Sequence, residues 1–284
     1  MERDWHEVAE AVGRAEAFGT VGVSIEGPDG RRWSRHGDRR FRAASVVKIP
    51  LMIEVYRRVE AGTLRLDETH VLADADRAAG SGVLLHLHAG LAPSIEDLVY
   101  LTMSISDNTA TNLLIRRVGM AAVNAIMRSL GMTGSTLGRE MRGRPAESAE
   151  EENWATPDDY ARVIRLLLDG HAAGPAGTAA MITMLESQQN GRRIGRYVPE
   201  APGVRWGSKT GGLKGVTNDV GFVTGPGGWL ILAVFCEGMA DLHVGEKCIG
   251  DIARAAMLAT GVVAPLDPAT PRAATPRHEG ARRE

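Results

Sequence analysis

Apolar and polar positions alternate from Thr20 to Glu26, a period of two that predicts a strand. Gly27, Pro28, Asp29 and Gly30 supply turn residues, and the chain returns through Arg31 to Ser34, so this stretch reads as a hairpin behind a short amphipathic helix over about residues 4–17. From Ser45 to about Gln189 the period lengthens: Val47, Leu51, Val55 and Val59 recur near one helix face. Helix starts are marked by Ser94 with Asp97 three residues on, and by Thr156 and Pro157 with Asp159, where a hydroxyl caps free N–H groups and a proline suits the first turn. Beyond Val204 the pattern returns to strands at Gly207–Thr210, Asp219–Val223 and Trp229–Cys236. The last two are joined by a turn through residues 224–228, and a helix over about residues 243–260 follows.

Strands at both ends of a chain with helices between them share one sheet only if the ends meet, which leaves the middle as an inserted helical unit. The expected division is a sheet domain from residues 1–44 and 196–262, a helical domain from residues 45–195 with a cleft between the two, and a tail over residues 263–284 too poor in apolar residues to pack.

Composition narrows the function. The 284 residues are 44% hydrophobic, enough for a sizeable core. The 33 basic and 35 acidic residues nearly cancel and aromatics reach only 5%, which argues against a nucleic-acid partner. The run Arg39, Arg40, Phe41, Arg42 reads as a solvated hairpin face. No run of about 18 apolar residues suggests a membrane span, and the N-terminus lacks a secretory pattern, so the chain as written reads as cytoplasmic; a removed leader would leave the same picture. Cys236 and Cys248 read as buried thiols, and His86 with His88 lacks the further ligands a metal needs.

Three short motifs carry chemistry. Ser45 and Lys48 stand three residues apart where a loop enters a helix, so they share a face. A serine is a poor nucleophile until a base takes its proton, and a lysine serves only if desolvation or a nearby cation lowers its pKa. The bland alternative is a capping serine and a solvated lysine. Ser106, Asp107 and Asn108 follow at a break between two helices, where they could equally be a cap. Lys209, Thr210 and Gly211 lie on a strand bordering the expected cleft; the pair suits a carboxylate, although a lysine also protects a sheet edge. Lysine is scarce, and two of the four (Lys48, Lys209, Lys214, Lys247) fall in the motifs.

In this order the motifs resemble the signature set of class A β-lactamases and penicillin-binding proteins. The resemblance runs from about residue 20 to 260 and includes Gly80 to Leu84 and Leu185 to Gln188. It implies an α+β fold, with a five-stranded antiparallel sheet flanked by helices plus an all-helical domain. It also implies a serine hydrolase acting on β-lactams through an acyl-enzyme, with a small-molecule substrate and no cofactor. Carried over by motif, Ser45 is the nucleophile, Lys48 its base or relay, Ser106 the donor to the leaving nitrogen and Asn108 a contact to the substrate amide. Lys209 and Thr210 would hold the substrate carboxylate beside Gly211, and the N–H groups of Ser45 and Gly212 would form the oxyanion hole.

One departure divides the expectation. The family places a glutamate two residues after a loop arginine to activate the deacylating water. Here Arg139 is followed by Glu140 and then Met141, so a thioether stands in that place and Glu140 is one residue out of register. Glu147, Glu150, Glu151 and Glu152 read as a solvated acidic stretch. If Glu140 serves, a β-lactamase follows; otherwise a slow lactamase, an esterase, amidase or D-alanyl peptidase-like hydrolase, or a covalent penicillin-binding module.

Overall fold

The computed structural model describes residues 5–144 and 146–263. The strands are β1 (Thr20–Glu26), β2 (Arg32–Arg35), β3 (Phe41–Arg42), β4 (Trp154–Ala155), β5 (Arg205–Leu213), β6 (Val216–Gly225) and β7 (Gly228–Glu237). The helices are α1 (His6–Glu16), α2 (Lys48–Glu60), α3 (Ile95–Ser104), α4 (Asn108–Val118), α5 (Met120–Ser129), α6 (Pro157–Leu168), α7 (Pro175–Glu186) and α8 (Leu242–Thr260). Strands β2-β1-β7-β6-β5 form one antiparallel sheet, so the first and last strands of the chain do meet. β3 and β4 form a separate small ribbon.

Each face of the sheet is covered. Val21, Val23 and Ile25 of β1 and Leu230, Leu232 and Val234 of β7 pack with α1 and α8. The opposite side chains, among them Phe222, Ile231 and Phe235, join the core of α2 to α7. The alternation of strands buried on both faces thus sorts apolar residues into two layers, as a period of two requires. The expected α+β architecture with five antiparallel strands is what the structure has. Among the described residues, no helix is long and apolar enough to cross a membrane.

Local signals act as expected at two helix starts. Ser94 Oγ accepts the Asp97 N–H while the Asp97 carboxylate accepts the Ser94 N–H, and Thr156 Oγ1 accepts the Asp159 N–H ahead of Pro157. Cys236 and Cys248 are free and buried. Among the described residues no group of three or more His, Cys, Asp or Glu side chains could hold a metal ion.

Three expectations need correction. β5 and β6 extend past the expected Gly207–Thr210 and Asp219–Val223, and β5 does so through Gly211, where the edge strand lies close against the turn that carries Ser45. A Cβ on Gly211 would fall 2.9 Å from the Ala43 carbonyl and 3.3 Å from the Ser45 nitrogen. Residues 39–42 are not a solvated face throughout: Phe41 is fully buried, its ring 5.8 Å from that of Phe235, where only a glycine at position 22 leaves room for it. Val263 is buried as well, so the expected tail does not begin there; the remainder, residues 264–284, lies outside the described residues.

Phe41 stands four residues before Ser45, so its burial also anchors the entry to the motif. Phe41→Ala should lower stability by about 3–5 kcal/mol in urea unfolding, the range for emptying a phenylalanine site in a core. A loss below about 1 kcal/mol would show that the ring is not the anchor.

Candidate active site

Ser45 sits in a single 3-10 turn, Ala44–Val47, that leads directly into α2. In such a turn residues three apart eclipse, and the Lys48 N–H bonds to the Ser45 carbonyl, so the two side chains rise from one face. The turn is held from outside. Asn218 Nδ2 on β6 donates to the carbonyls of Arg42 (2.8 Å) and Ala43 (3.2 Å), and Ala44 is forced to a φ of 47°, a region that non-glycine residues rarely occupy.

The second motif faces Lys48. Ser106 also has positive φ, 61°, at the break between α3 and α4. Asp107 holds it there: one carboxylate oxygen caps α4 through the Ala110 N–H (2.9 Å), and the other accepts the N–H groups of Val83 (2.7 Å) and Leu84 (2.9 Å). Lys48 Nζ donates to the Ser106 carbonyl (2.7 Å), Ser106 Oγ (3.0 Å) and Asn108 Oδ1 (3.0 Å). The link expected between Lys48 Nζ and Ser45 is not among these bonds; Lys48 engages the second motif instead. Asn108 Nδ2 donates in turn to the Ala79 carbonyl (2.8 Å).

The third motif lies on the sheet edge. Lys209 is fully buried and its Nζ donates to the Thr210 carbonyl (3.0 Å). Behind it Arg193 Nη1 donates to the carbonyls of Gly211 (2.8 Å) and Asn218 (2.6 Å), with the Glu246 carboxylate 3.5 Å from its Nε, while Asp219 accepts the Ile194 N–H (3.0 Å). Gly212 lines the same cleft as Ser45.

Burial dominates the electrostatics. It holds Lys48 well below the ordinary lysine range, and the charge of Lys209 pushes it further down against the pull of Asp107. Burial also lowers Lys209, to about 7, opposed by Asp219 and aided by Arg193.

The cleft at Ser45, about 170 Å³, is bounded on one side by Gly212 and Leu213 and on the other by Met141, Arg142, Gly143 and Arg144. Met141 occupies the cleft wall, its backbone clamped by the Asn112 amide through both N–H (2.8 Å) and carbonyl (2.9 Å). Glu140 faces the other way. Both its oxygens are bound by the Arg116 guanidinium (2.9 and 2.8 Å), and it lines a neighbouring cavity of about 530 Å³ that does not include Ser45. Of the acidic stretch, Glu147 and Glu150 are exposed as expected and Glu151 is half-buried, but Glu152 is not exposed. It is buried, lines the Ser45 cleft, and accepts from Arg139 Nη2 (3.3 Å) and the Asn153 N–H (2.9 Å).

Sequence reasoning passed over Asn218, Arg193 and Asp219. The usable signal was two adjacent polar residues, Asn218 and Asp219, at positions a strand buries on both faces. For Arg193 no local pattern distinguishes it from the arginines around it.

A five-stranded antiparallel sheet, a helical half and a serine-lysine turn between them define the fold and site of the penicillin-recognising serine hydrolases. Comparison with known proteins agrees. Residues 5–259 match the model of the Beta-lactamase enzyme family, and the chain belongs to that family. It is 31% identical to Beta-lactamase OXY-2 of Klebsiella oxytoca over 72% of this chain and 71% of that protein. The crystal structure of a beta-lactamase from Sphaerobacter thermophilus DSM 20745 superposes with a TM-score of 0.91 at 62% identity, covering 92% of this chain and all of that one. An ancestral class A beta-lactamase superposes with a TM-score of 0.81 at 29% identity, over 89% and 98% of the two chains. The protein is accordingly a serine hydrolase of the β-lactamase family.

The buried lysine pair makes a measurable expectation. Removing the positive charge of Lys209 relieves repulsion on protonated Lys48, so Lys209→Met should move the Lys48 titration to higher pH, followed by NMR of the lysine side chains. A Lys48 that titrates in the ordinary lysine range in the parent would contradict the burial argument.

Proposed function

We propose that the protein is a β-lactam-acylating hydrolase in which Ser45 attacks the lactam carbonyl and the acyl-enzyme is released slowly. The observation that carries this reading is the fully buried Lys48, held within 3.0 Å of Ser106 Oγ and Asn108 and kept below the ordinary lysine range. As the Ser45 Oγ–carbonyl bond forms, the hydroxyl proton passes to Lys48. As the carbonyl–nitrogen bond breaks, Ser106 delivers a proton to the leaving nitrogen and is resupplied by Lys48. The N–H groups of Ser45 and Gly212 stabilise the oxyanion. Lys209 and Thr210, seated beside Gly211, take the carboxylate of the substrate.

Deacylation lacks an equivalent. A thioether cannot accept a proton, Glu140 is committed to Arg116, and Glu152, the one carboxylate among the described residues that line the cleft, is tied to Arg139 and the Asn153 N–H. These placements favour the slow-turnover form of the family's chemistry over a fast β-lactamase.

Intact-mass spectrometry during reaction with a penicillin and a cephalosporin tests this. The parent should show a persistent adduct that Ser45→Ala abolishes. Glu140→Gln should leave its lifetime unchanged, and Met141→Glu should shorten it by about 10² or more, the scale of a positioned general base. Rapid consumption of drug without a lasting adduct would overturn slow release; no adduct at all would direct the search to esters, amides and D-alanyl peptides.

A further inference from the structure

The segment from Ala79 to Leu84 wraps the second motif almost residue by residue. The Ala79 carbonyl accepts from Asn108 Nδ2 (2.8 Å), the Ser81 carbonyl accepts the Asn108 N–H (2.9 Å), and the N–H groups of Val83 and Leu84 donate to Asp107 (2.7 and 2.9 Å). Glycines at positive φ on either side of Ser81 permit this approach: a Cβ on Gly82 would run into the Asp107 carboxylate, and one on Gly80 into the Asn108 amide. Ser81 adds its side chain to the grip. Its Oγ donates to the Ser106 carbonyl at 2.7 Å, and the same carbonyl accepts from Lys48 Nζ, also at 2.7 Å. One oxygen thus serves two donors. Ser81 itself is exposed and lines the cleft that holds Ser45.

We infer that Ser81 is a positioning residue for acylation of Ser45: by occupying the second lone pair of the Ser106 carbonyl, its hydroxyl lets that carbonyl hold Lys48 in place without holding it protonated. The inference rests on the function proposed above, in which Lys48 takes the Ser45 proton. A carbonyl oxygen has two lone pairs drawing on one partial charge, so a donor on the first leaves less for a donor on the second. An ammonium needs that charge more than a neutral amine does. The same bond fixes the Ser106 peptide, whose φ of 61° is costly for a serine, and with it the Ser106 hydroxyl 3.0 Å from Nζ. The charged groups around Lys48 are Lys209 on β5 and Asp107 at the start of α4, with Arg139, Arg142, Arg144 and Glu152 across the cleft. Ser81 acts on the lysine without altering any of these charges, through the acceptor that the two share.

The test is the single-turnover rate of Ser45 acylation by benzylpenicillin against pH in the parent, Ser81→Ala and Ser81→Thr, beside NMR titration of Lys48 in the three free proteins. On the rising limb Ser81→Ala should lag the parent about three- to tenfold, the worth of one neutral hydrogen bond, and it should close the gap as pH increases. Its Lys48 should titrate at higher pH than in the parent. Ser81→Thr, which keeps the hydroxyl, should follow the parent in both measurements. The unfolding midpoint of each variant checks that the fold is kept. A pH profile and a Lys48 titration unchanged in Ser81→Ala, or a loss of rate uniform across pH, would overturn the inference. A parent that forms no adduct removes the proposed function, and the titration then decides the role of Ser81 by itself: a Lys48 moved to higher pH in Ser81→Ala supports it, and an unmoved one overturns it.

Discussion

Two lysine side chains are buried to zero exposure within one site, and an isolated ammonium in such surroundings is strongly disfavoured. Much of the neighbouring architecture answers that constraint. Around the reactive turn three cationic side chains, Lys48, Lys209 and Arg193, are set against three buried carboxylates, Asp107, Asp219 and Glu246. Polar groups fill the remaining positions: the Ser106 and Thr210 carbonyls accept from the lysines, and the Gly211 and Asn218 carbonyls accept from Arg193. The same contacts fix the distances between the motifs. Asp107 both tempers Lys48 and ties Ser106 to the loop at Val83 and Leu84, while Asn218 binds the segment that delivers Ser45. The strain at Ala44 and Ser106, each at positive φ, persists because these bonds over-determine the backbone there.

The loop from Leu137 to Asn153 follows a different logic. Its frame is the Asn153 side chain, which accepts the N–H groups of Gly138 (2.8 Å) and Arg139 (3.0 Å), together with the buried Arg139–Glu152 pair. With that frame set and Asn112 gripping Met141 on both backbone atoms, residue 141 is aimed into the cleft and residue 140 out toward Arg116. A shift by one residue would have to break these bonds together. In the proposed mechanism the loop therefore presents a thioether to the acyl-enzyme where activation of water would call for a carboxylate.

How much of this the sequence disclosed follows from the range over which each signal acts. Period-two and helical patterns, the caps at Ser94 and Thr156 and the turn before Gly228 are set by neighbours in sequence, and they placed the elements well. The three motifs could be placed because each occupies a local junction: a turn into a helix, a break between helices, a strand edge. What escaped depends on distant partners. Phe41 reads as part of a basic run until Phe235 and the bare Gly22 are brought to it. Gly211 reads only as a small residue of the third motif until the Ser45 turn packs on it. Glu152 looks like one more acid of a polar loop until Arg139 folds beneath it.

The central claim is that burial beside a second lysine makes Lys48 the proton acceptor for Ser45. Its most direct test is the single-turnover rate of Ser45 acylation by a penicillin as a function of pH. A lowered Lys48 predicts a rate that rises with pH and levels off well below the ordinary lysine range, and that Lys48→Ala loses by a factor of about 10² or more. A rate that climbs on through the ordinary lysine range, or a Lys48→Ala protein that acylates as fast as the parent, would contradict it.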